Sequence, residues 1–492
     1  MGLGGGHTAV ACEPVTGPID VLTTLVAVSG VFFLAYYLVV HANYFVLYML
    51  ALMELRESSR EREYEPVYQP FGSQFLPSVA VITPAYNEAE TIVENVRSLL
   101  AVKYADKEIL VVNDGSTDDT FDRLDAEFDL RPINADYPLE IPTERVRGIY
   151  RSAITEELLV VDKENGGKSD ALNAGVWITE QRLFCAIDAD SIVDRDGLLE
   201  VIQPFLEAPR ETVATGGAVW AANGCEIENG VMQSFAPPSS SLAGVQVVEY
   251  LRAFYAGRLG LSRLNALIII SGTFGVFRTD IVREIDGYRH DSVTEDLDLV
   301  LRIHRYAAET DREHRVEFVA EPIVWTEVPE SIRTLSRQRR RWYRGLVESL
   351  VTHRDMIGSR RYGRIGTYAM PSYVFVEMLG PLIEGVGYLV VPAAFVFGVL
   401  NFEFFVLYFV LTTGIGVFLS WFSVLTVVGR FSRYEGVRQI LTLLGAGVLE
   451  NFGYRQWKTG VAWHGLIEYL RGDQSWGVMK RSGFRNETDD AD

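Results

Sequence analysis

Apolar and polar positions fall into three regimes along this chain. Residues 21–40 carry no charge, enough to cross roughly 30 Å of hydrocarbon as a helix. Apolar residues continue to Met53, so either one long helix or two short spans broken near His41-Ala42-Asn43 fits. Arg56, Arg60 and Arg62 follow at once. Basic residues beside a span mark its cytoplasmic side, which predicts an outside N-terminus and a cytoplasmic chain from residue 56 onward. Residues 57–76, with Pro66, Pro70 and Gly72, read as a polar linker.

From Pro77 the period changes. Buried strands are predicted at 78–84, 107–113, 158–162, 183–188, 213–219 and 315–319, and helical spacing at 91–100 and from about Asp118. This alternation predicts an α/β domain with a mixed, mainly parallel sheet, Rossmann-like, with helices on both faces. Ligands bind such sheets at the carboxyl ends of the strands. A basic helix is predicted over 331–350. Two further uncharged stretches, 385–402 and 404–429, are separated only by Glu403 and read as a membrane hairpin, returned to the cytoplasm by Arg430, Arg433 and Arg438. Residues 440–470 are too short and too interrupted to span and read as interfacial or re-entrant. Lys480 and Arg481 mark the tail as cytoplasmic. The resulting division is 1–56 membrane helix, 57–76 linker, 77–330 α/β domain, 331–368 interfacial region, 369–439 hairpin, and 440–492 interfacial element and tail.

Composition narrows the class. The chain has 492 residues, 22% of them charged, and a mean hydropathy of +0.11. That combination fits a soluble domain joined to a membrane part. Residues 1–20 contain no Lys or Arg, which argues against a secretory leader. The net charge of −20 excludes nucleic acid as a partner, since phosphate backbones require basic surface. Six lysines stand against 39 arginines. A lysine-poor acidic surface suits a protein from a high-salt cell, and an Arg-favouring GC-rich genome accounts for it equally well. Cys12, Cys185 and Cys225 show no pairing or zinc spacing, and Cys185 reads as a core residue.

Several groups carry candidate chemistry. Asp188-Ala-Asp190 closes an apolar strand; i and i+2 of a strand share a face, so the two carboxylates can converge on one hard cation that keeps positions open for phosphate oxygens. Asp-x-Asp alone is equally a solvated loop. Asn113-Asp114-Gly115-Ser116 ends another strand and reads as a ligand contact or as a turn that caps a helix. Tyr86 and Glu88 follow the first strand. Lys168 succeeds the pair Gly166-Gly167, which lets backbone approach a ligand while the ammonium meets phosphate. Thr294-Glu295-Asp296 opens a helix with Thr294 as its cap; acids there also serve simply as helix-dipole partners. Gln338, Arg341 and Trp342 sit in an Arg-rich helix whose polar face suits anionic headgroups. Within it Arg341 can fork a diphosphate and Trp342 can offer a flat face to a sugar ring.

The order Asp114, Asp188-x-Asp190, Glu295-Asp296, Gln338-x-x-Arg341-Trp342 closely resembles the processive family-2 glycosyltransferases, which make cellulose, chitin, hyaluronan and poly-N-acetylglucosamine. The resemblance covers about residues 77–346. It departs from the common pattern only in having Asn113 before Asp114 where many members have two Asp. It implies a GT-A-like cytoplasmic domain carried by a multi-pass cell-membrane protein that uses a nucleotide-sugar donor, most simply a UDP-sugar, with Mg2+ or Mn2+ and inversion at the sugar carbon. The acceptor would be a growing polysaccharide or a lipid-linked sugar, and accessory export subunits would be partners. Tyr86, Glu88, Asp114, Lys168, Asp188, Gln338, Arg341 and Trp342 would bind the nucleotide sugar, Asp188 and Asp190 the metal. Asp296, beside Glu295, would be the catalytic base, and residues 271–275 would line the acceptor site.

Overall fold

The computed structural model describes residues 18–64, 76–133, 143–228, 231–396 and 398–472, without residues 399, 432 and 435. Cys12, most of the expected linker, and Lys480 and Arg481 lie outside the described residues.

The α/β domain is built on ten strands: β1 (Val79–Ala85), β2 (Lys107–Asp114), β3 (Leu130–Ile133), β4 (Val146–Ser152), β5 (Leu158–Lys163), β6 (Leu183–Ile187), β7 (Ser191–Val193), β8 (Thr212–Ala221), and, after a small hairpin of β9 (Glu226–Glu228) and β10 (Val231–Ser234), β11 (Phe274–Arg278) and β12 (Arg315–Thr326). They lie in the order β3-β4-β5-β2-β1-β6-β11-β8-β12-β7. Strands β5, β2, β1 and β6 run parallel, as do β8 and β12. Their sequences are nearly continuous apolar runs because both faces of the sheet are covered by helices. Ile82, Val111, Val160, Phe184, Val276 and Trp325 sit in one core at 0% exposure. The register brings carboxyl ends together: Ala85 lies opposite Asn113, and Asn113 opposite Asp162. Strand β11 enters antiparallel between β6 and β8, with Phe274 opposite Ile187. The loop before it is thereby set beside Asp188, whose N–H donates to the Thr273 carbonyl at 3.2 Å.

Three helical stretches are long and apolar enough to cross a membrane: Val28–Ser59, Ile365–Val396 and Phe405–Phe431. The first belongs to an unbroken helix, Pro18–Tyr64, so the chain does not break near residue 42, and the helix runs on into the stretch read as linker. Val31, Val39, Leu389 and Val396 are each 67% exposed or more, the pattern of lipid-facing positions. The second stretch begins well before the uncharged window at 385. Its carboxylates are satisfied inside the bundle: Tyr44 donates to Glu377 at 2.8 Å, and Arg455 pairs with Glu384 at 2.5 Å. The C-terminal part is two helices, Val437–Leu449 and Arg455–Leu470, joined across a kink at Phe452 and Gly453. The latter packs along the helix Ile332–Thr352, with Arg340 to Glu468 at 2.6 Å.

Candidate active site

The carboxyl ends of the strands open into a cavity of about 1150 Å³ that Lys168, Asp188, Asp190, Glu295, Asp296 and the motif helix line together. Each arrives by a different local device. Strand β6 stops at Ile187, one residue before the first aspartate. Asp188-Ala189-Asp190 is therefore a turn, closed by the Ser191 N–H donating to the Asp188 carbonyl at 3.1 Å, and the two carboxylates reach one cavity through that turn and not by strand alternation. Lys168 starts the helix Lys168–Ile178. Its ammonium lies 2.7 Å from Asp188 Oδ1 and 2.9 Å from Glu295 Oε1 and donates to the Gly272 carbonyl at 3.1 Å. Burial opposes its charge, but Asp188 and Glu295 outweigh burial and hold it above the usual lysine range. A Cβ at Gly272 would stand 3.1 Å from Asp296 Oδ2, close enough that the carboxylate would have to give by a few tenths of an ångström.

Glu295 and Asp296 open the helix Glu295–Glu309. The expected cap by Thr294 does not form; its hydroxyl instead meets Ser349 at 3.1 Å, which ties this helix start to the motif helix. Burial, and next the Glu295 charge, push the Asp296 carboxyl up to about 6, against the opposing pull of Lys168. A carboxylate near that value can both accept and release a proton close to neutral pH.

Ser331 caps the motif helix, its Oγ accepting from Thr334 N–H at 3.2 Å. Gln338, Arg341 and Trp342 stand at i, i+3 and i+4, hence on one face, and all three line the cavity. Gly345 lies on the same face, where a Cβ would fall 2.3 Å from Thr294 Cγ2. The helix does not keep its arginines for headgroups alone. Arg339 is buried, pairs with Glu249 at 2.7 Å and lies over the Trp342 ring at 4.4 Å. Glu249 also accepts from Tyr454 at 3.0 Å and pairs with Lys458; burial works against its charge, but Arg339 and Lys458 hold it well below the usual carboxylate range.

Tyr86, Glu88 and Asp114 do not line this cavity. Tyr86 is exposed. The Thr91 hydroxyl donates to Glu88 Oε2 at 2.9 Å. Asp114 is buried; Oδ1 accepts from Lys163 at 2.7 Å and the Gly166 N–H at 2.9 Å, and Oδ2 from the Gly167 N–H at 2.8 Å. It shapes the Gly-Gly loop that precedes Lys168. The chain also places residues in the cavity that sequence reasoning passed over: Glu249, Arg258, Tyr373 and Glu377. A lone carboxylate inside Val247-Val248-Glu249 and another inside a membrane stretch were the available signals.

Among the described residues no three His, Cys, Asp or Glu side chains gather to hold a metal. The donor chemistry still fits a hard cation: two carboxylates on one wall, with the remaining positions left to a ligand's phosphate oxygens.

Fold and site together define a nucleotide-sugar transferase of GT-A-like architecture with helices at both ends that suit a membrane. A family model described as glycosyltransferase like family 2 matches residues 77–345, more than half of the chain, and the chain belongs to that family. Poly-beta-1,6-N-acetyl-D-glucosamine synthase from Staphylococcus aureus is 28% identical over 351 residues, 70% of this chain and 72% of the relative. The Staphylococcus epidermidis synthase of the same name is 26% identical over 298 residues, 60% of this chain and 61% of the relative. Among solved structures, mannosyltransferase PcManGT from Pyrobaculum calidifontis, in complex with GDP-Man and Mn2+, superposes with a TM-score of 0.51 at 16% identity, covering 89% of this chain and 99% of that one. That last likeness concerns the fold.

Proposed function

We propose that this protein elongates a polysaccharide at the membrane, transferring a sugar from a UDP-sugar, most economically a UDP-N-acetylhexosamine, with inversion. The observation that carries this reading is the extent of the cavity. It runs from Asp188, Asp190 and Asp296 past Trp342 to Asn43 and Tyr44 on the first membrane helix and Tyr373 and Glu377 on the second. A chain growing at Asp296 would have its next sugars directed toward the bilayer. The similarity to poly-N-acetylglucosamine synthases supports the choice of donor.

In the reaction the acceptor hydroxyl oxygen attacks the anomeric carbon, the bond from that carbon to the diphosphate oxygen breaks, and UDP leaves with the electron pair. Asp296 takes the hydroxyl proton. Asp188 and Asp190 would hold Mg2+ or Mn2+, which when bound neutralises charge developing on the departing diphosphate. Arg341 would fork the same diphosphate, and Trp342 would support the acceptor ring. The N-terminus would lie outside and the α/β domain in the cytoplasm, with one span between them and two more after the domain. Membranes containing the protein, incubated with UDP-N-acetylglucosamine and Mg2+ or Mn2+, should yield a long polymer. A single sugar on lipid would replace this reading with glycolipid synthesis, and binding without turnover would end it.

A further inference from the structure

Arg258 lines the cavity but has no part in the chemistry above. It ends a π-helical turn, Ala253–Arg258, wedged between the helices Ser241–Arg252 and Leu259–Arg263. A single π turn shifts the phase of the side chains that follow it, and such turns concentrate at functional sites. The guanidinium lies 4.3 Å above the Phe254 ring. Phe254 in turn stacks on Phe318 at 5.8 Å between centroids and 5° between planes, so the platform beneath Arg258 is fixed by the core. Among the described residues Arg258 has no hydrogen-bond or ion-pair partner, and its Nη1 is sealed from solvent without one. Lys168, Arg339 and Lys458, which line the same cavity, are each matched by a carboxylate. Burial draws the Arg258 guanidinium below the usual arginine range, against the opposing pull of Tyr373 and Asp296, both of which line the same cavity.

Arg258 is half-buried, but its sealed Nη1 without an acceptor is costly, and the cost is recovered when oxygen atoms of a ligand reach it. Its neighbours locate those atoms. Asp296 would take the acceptor's proton, and Tyr373 belongs to the second membrane stretch, so Arg258 faces the acceptor side and not the carboxylate pair. The fork of a guanidinium matches planar, doubly accepting oxygen better than a ring hydroxyl. We propose that Arg258 is a specificity residue that recognises a carbonyl-type oxygen, an amide carbonyl or a carboxylate, carried by the acceptor saccharide at or next to the reacting sugar. This rests on the reading of the cavity as a saccharide site.

The test is saccharide binding, measured without donor on the purified full-length protein in detergent by calorimetric titration. Three β-linked tetrasaccharides serve as probes: N-acetylglucosamine (amide carbonyl), glucuronic acid (carboxylate) and glucose (neither). The wild type should bind one of the first two at least roughly tenfold more tightly than the glucose oligomer, as loss of a charged hydrogen bond implies. Which of the two it prefers identifies the group. In Arg258→Lys, which keeps the charge and loses the fork, and in Arg258→Met, which loses both, that ratio should fall toward one. Because the ratio is taken within each variant, a general loss of structure weakens all probes alike and leaves it unchanged. A wild type that does not discriminate, or variants that keep its ratio, would overturn the assignment. Polymer formation is scored separately: discrimination without any sugar transfer would refute the proposed function and leave the Arg258 site standing.

Discussion

Gly345→Ala isolates the contact between the motif helix and the helix that begins with Glu295 and Asp296. The new Cβ would sit 2.3 Å from Thr294 Cγ2, 2.8 Å from its Oγ1 and 3.0 Å from its Cβ. Ordinary contact begins near 3.4 Å, so one helix must retreat by about 1 Å. Thr294 is also tied to Ser349, one turn along the same motif helix, which limits rotation as an escape. Overpacking costs about 1–3 kcal/mol, and replacing a helical glycine by alanine returns about 1 kcal/mol. Stability should therefore fall by no more than about 2 kcal/mol, with a modest change in melting temperature. Turnover should suffer much more, because misplacing reacting groups by about 1 Å costs on the order of 100-fold, and the retreat separates Arg341 and Trp342 from Asp296. The assay is initial-rate polymer synthesis beside thermal unfolding of the same preparation. Gly460→Ala is the control: nothing lies within 4 Å of its Cβ position, and it should match wild-type turnover. Thr294→Ser removes the methyl that is struck first and should partly rescue Gly345→Ala. A Gly345→Ala enzyme within threefold of wild type would refute the argument.

Three further outcomes are expected. Asp296 works as a base when deprotonated, so kcat/KM should fall tenfold per unit on the acid side of about pH 6; Glu295→Gln removes the charge that helps raise Asp296 and should move that limb to lower pH. Because the folded state binds this proton more tightly than the unfolded chain, ionised Asp296 destabilises the fold above about pH 6, so Asp296→Asn should melt higher than wild type at pH 8, the gap closing as pH falls toward 4. Asp190→Asn should abolish most polymer synthesis, since an amide is a poorer donor to a hard cation, and excess EDTA should do the same to the wild type; full turnover in either would remove the metal role from this pair.

The parts of the fold visible from the chain alone are those buried on both faces. Strands β1, β2, β5, β6 and β8 are largely apolar runs, each expected within a few residues of its ends; β12, interrupted by Glu317, Glu321 and Pro322, was expected only to 319 and extends to Thr326. Strands β3 and β4 were not foreseen because they pair antiparallel at an edge of the sheet, where Arg131, Arg147 and Arg151 face outward and dilute the apolar signal. Strand β11 begins within the loop expected at 271–275 and runs on to Arg278; a five-residue strand leaves little periodicity to read. The candidate site divides the same way. Gln338, Arg341 and Trp342 share a helical spacing and therefore a face. Asp188 and Asp190 share the cavity, although the strand argument for them failed at Ile187. Asp114 reads from the sequence as a ligand contact or as part of a turn, and the resemblance implies the former. Its partners within the chain, Lys163 and two loop amides, lie about fifty residues away in sequence, and only the β2–β5 pairing brings them together.

That pairing changes what the acidic composition means at the centre of the molecule. The buried acids there are matched one against another element: Asp114 with Lys163 across two strands, Glu249 with Arg339 and Lys458 across three helices, and Asp298, in the helix Glu295–Glu309, with His353 at the end of the motif helix at 2.9 Å. Breaking one side of such a pair leaves a buried charge, which costs far more than the pair itself contributes. These contacts therefore serve less as glue than as registration, fixing which helix face meets the cavity. Trp342 depends on this directly. Its ring lies against Arg339, Arg339 is fixed by Glu249, and Glu249 is shared with Lys458 and Tyr454, residues that lie beyond the span matched by the family model. The Trp342 ring is thus oriented from the C-terminal helices as well as from its own helix. The run of basic residues beside Trp342 owes its composition to two demands at once: Arg341 toward the cavity, and Arg339 and Arg340 toward carboxylates that the rest of the chain supplies.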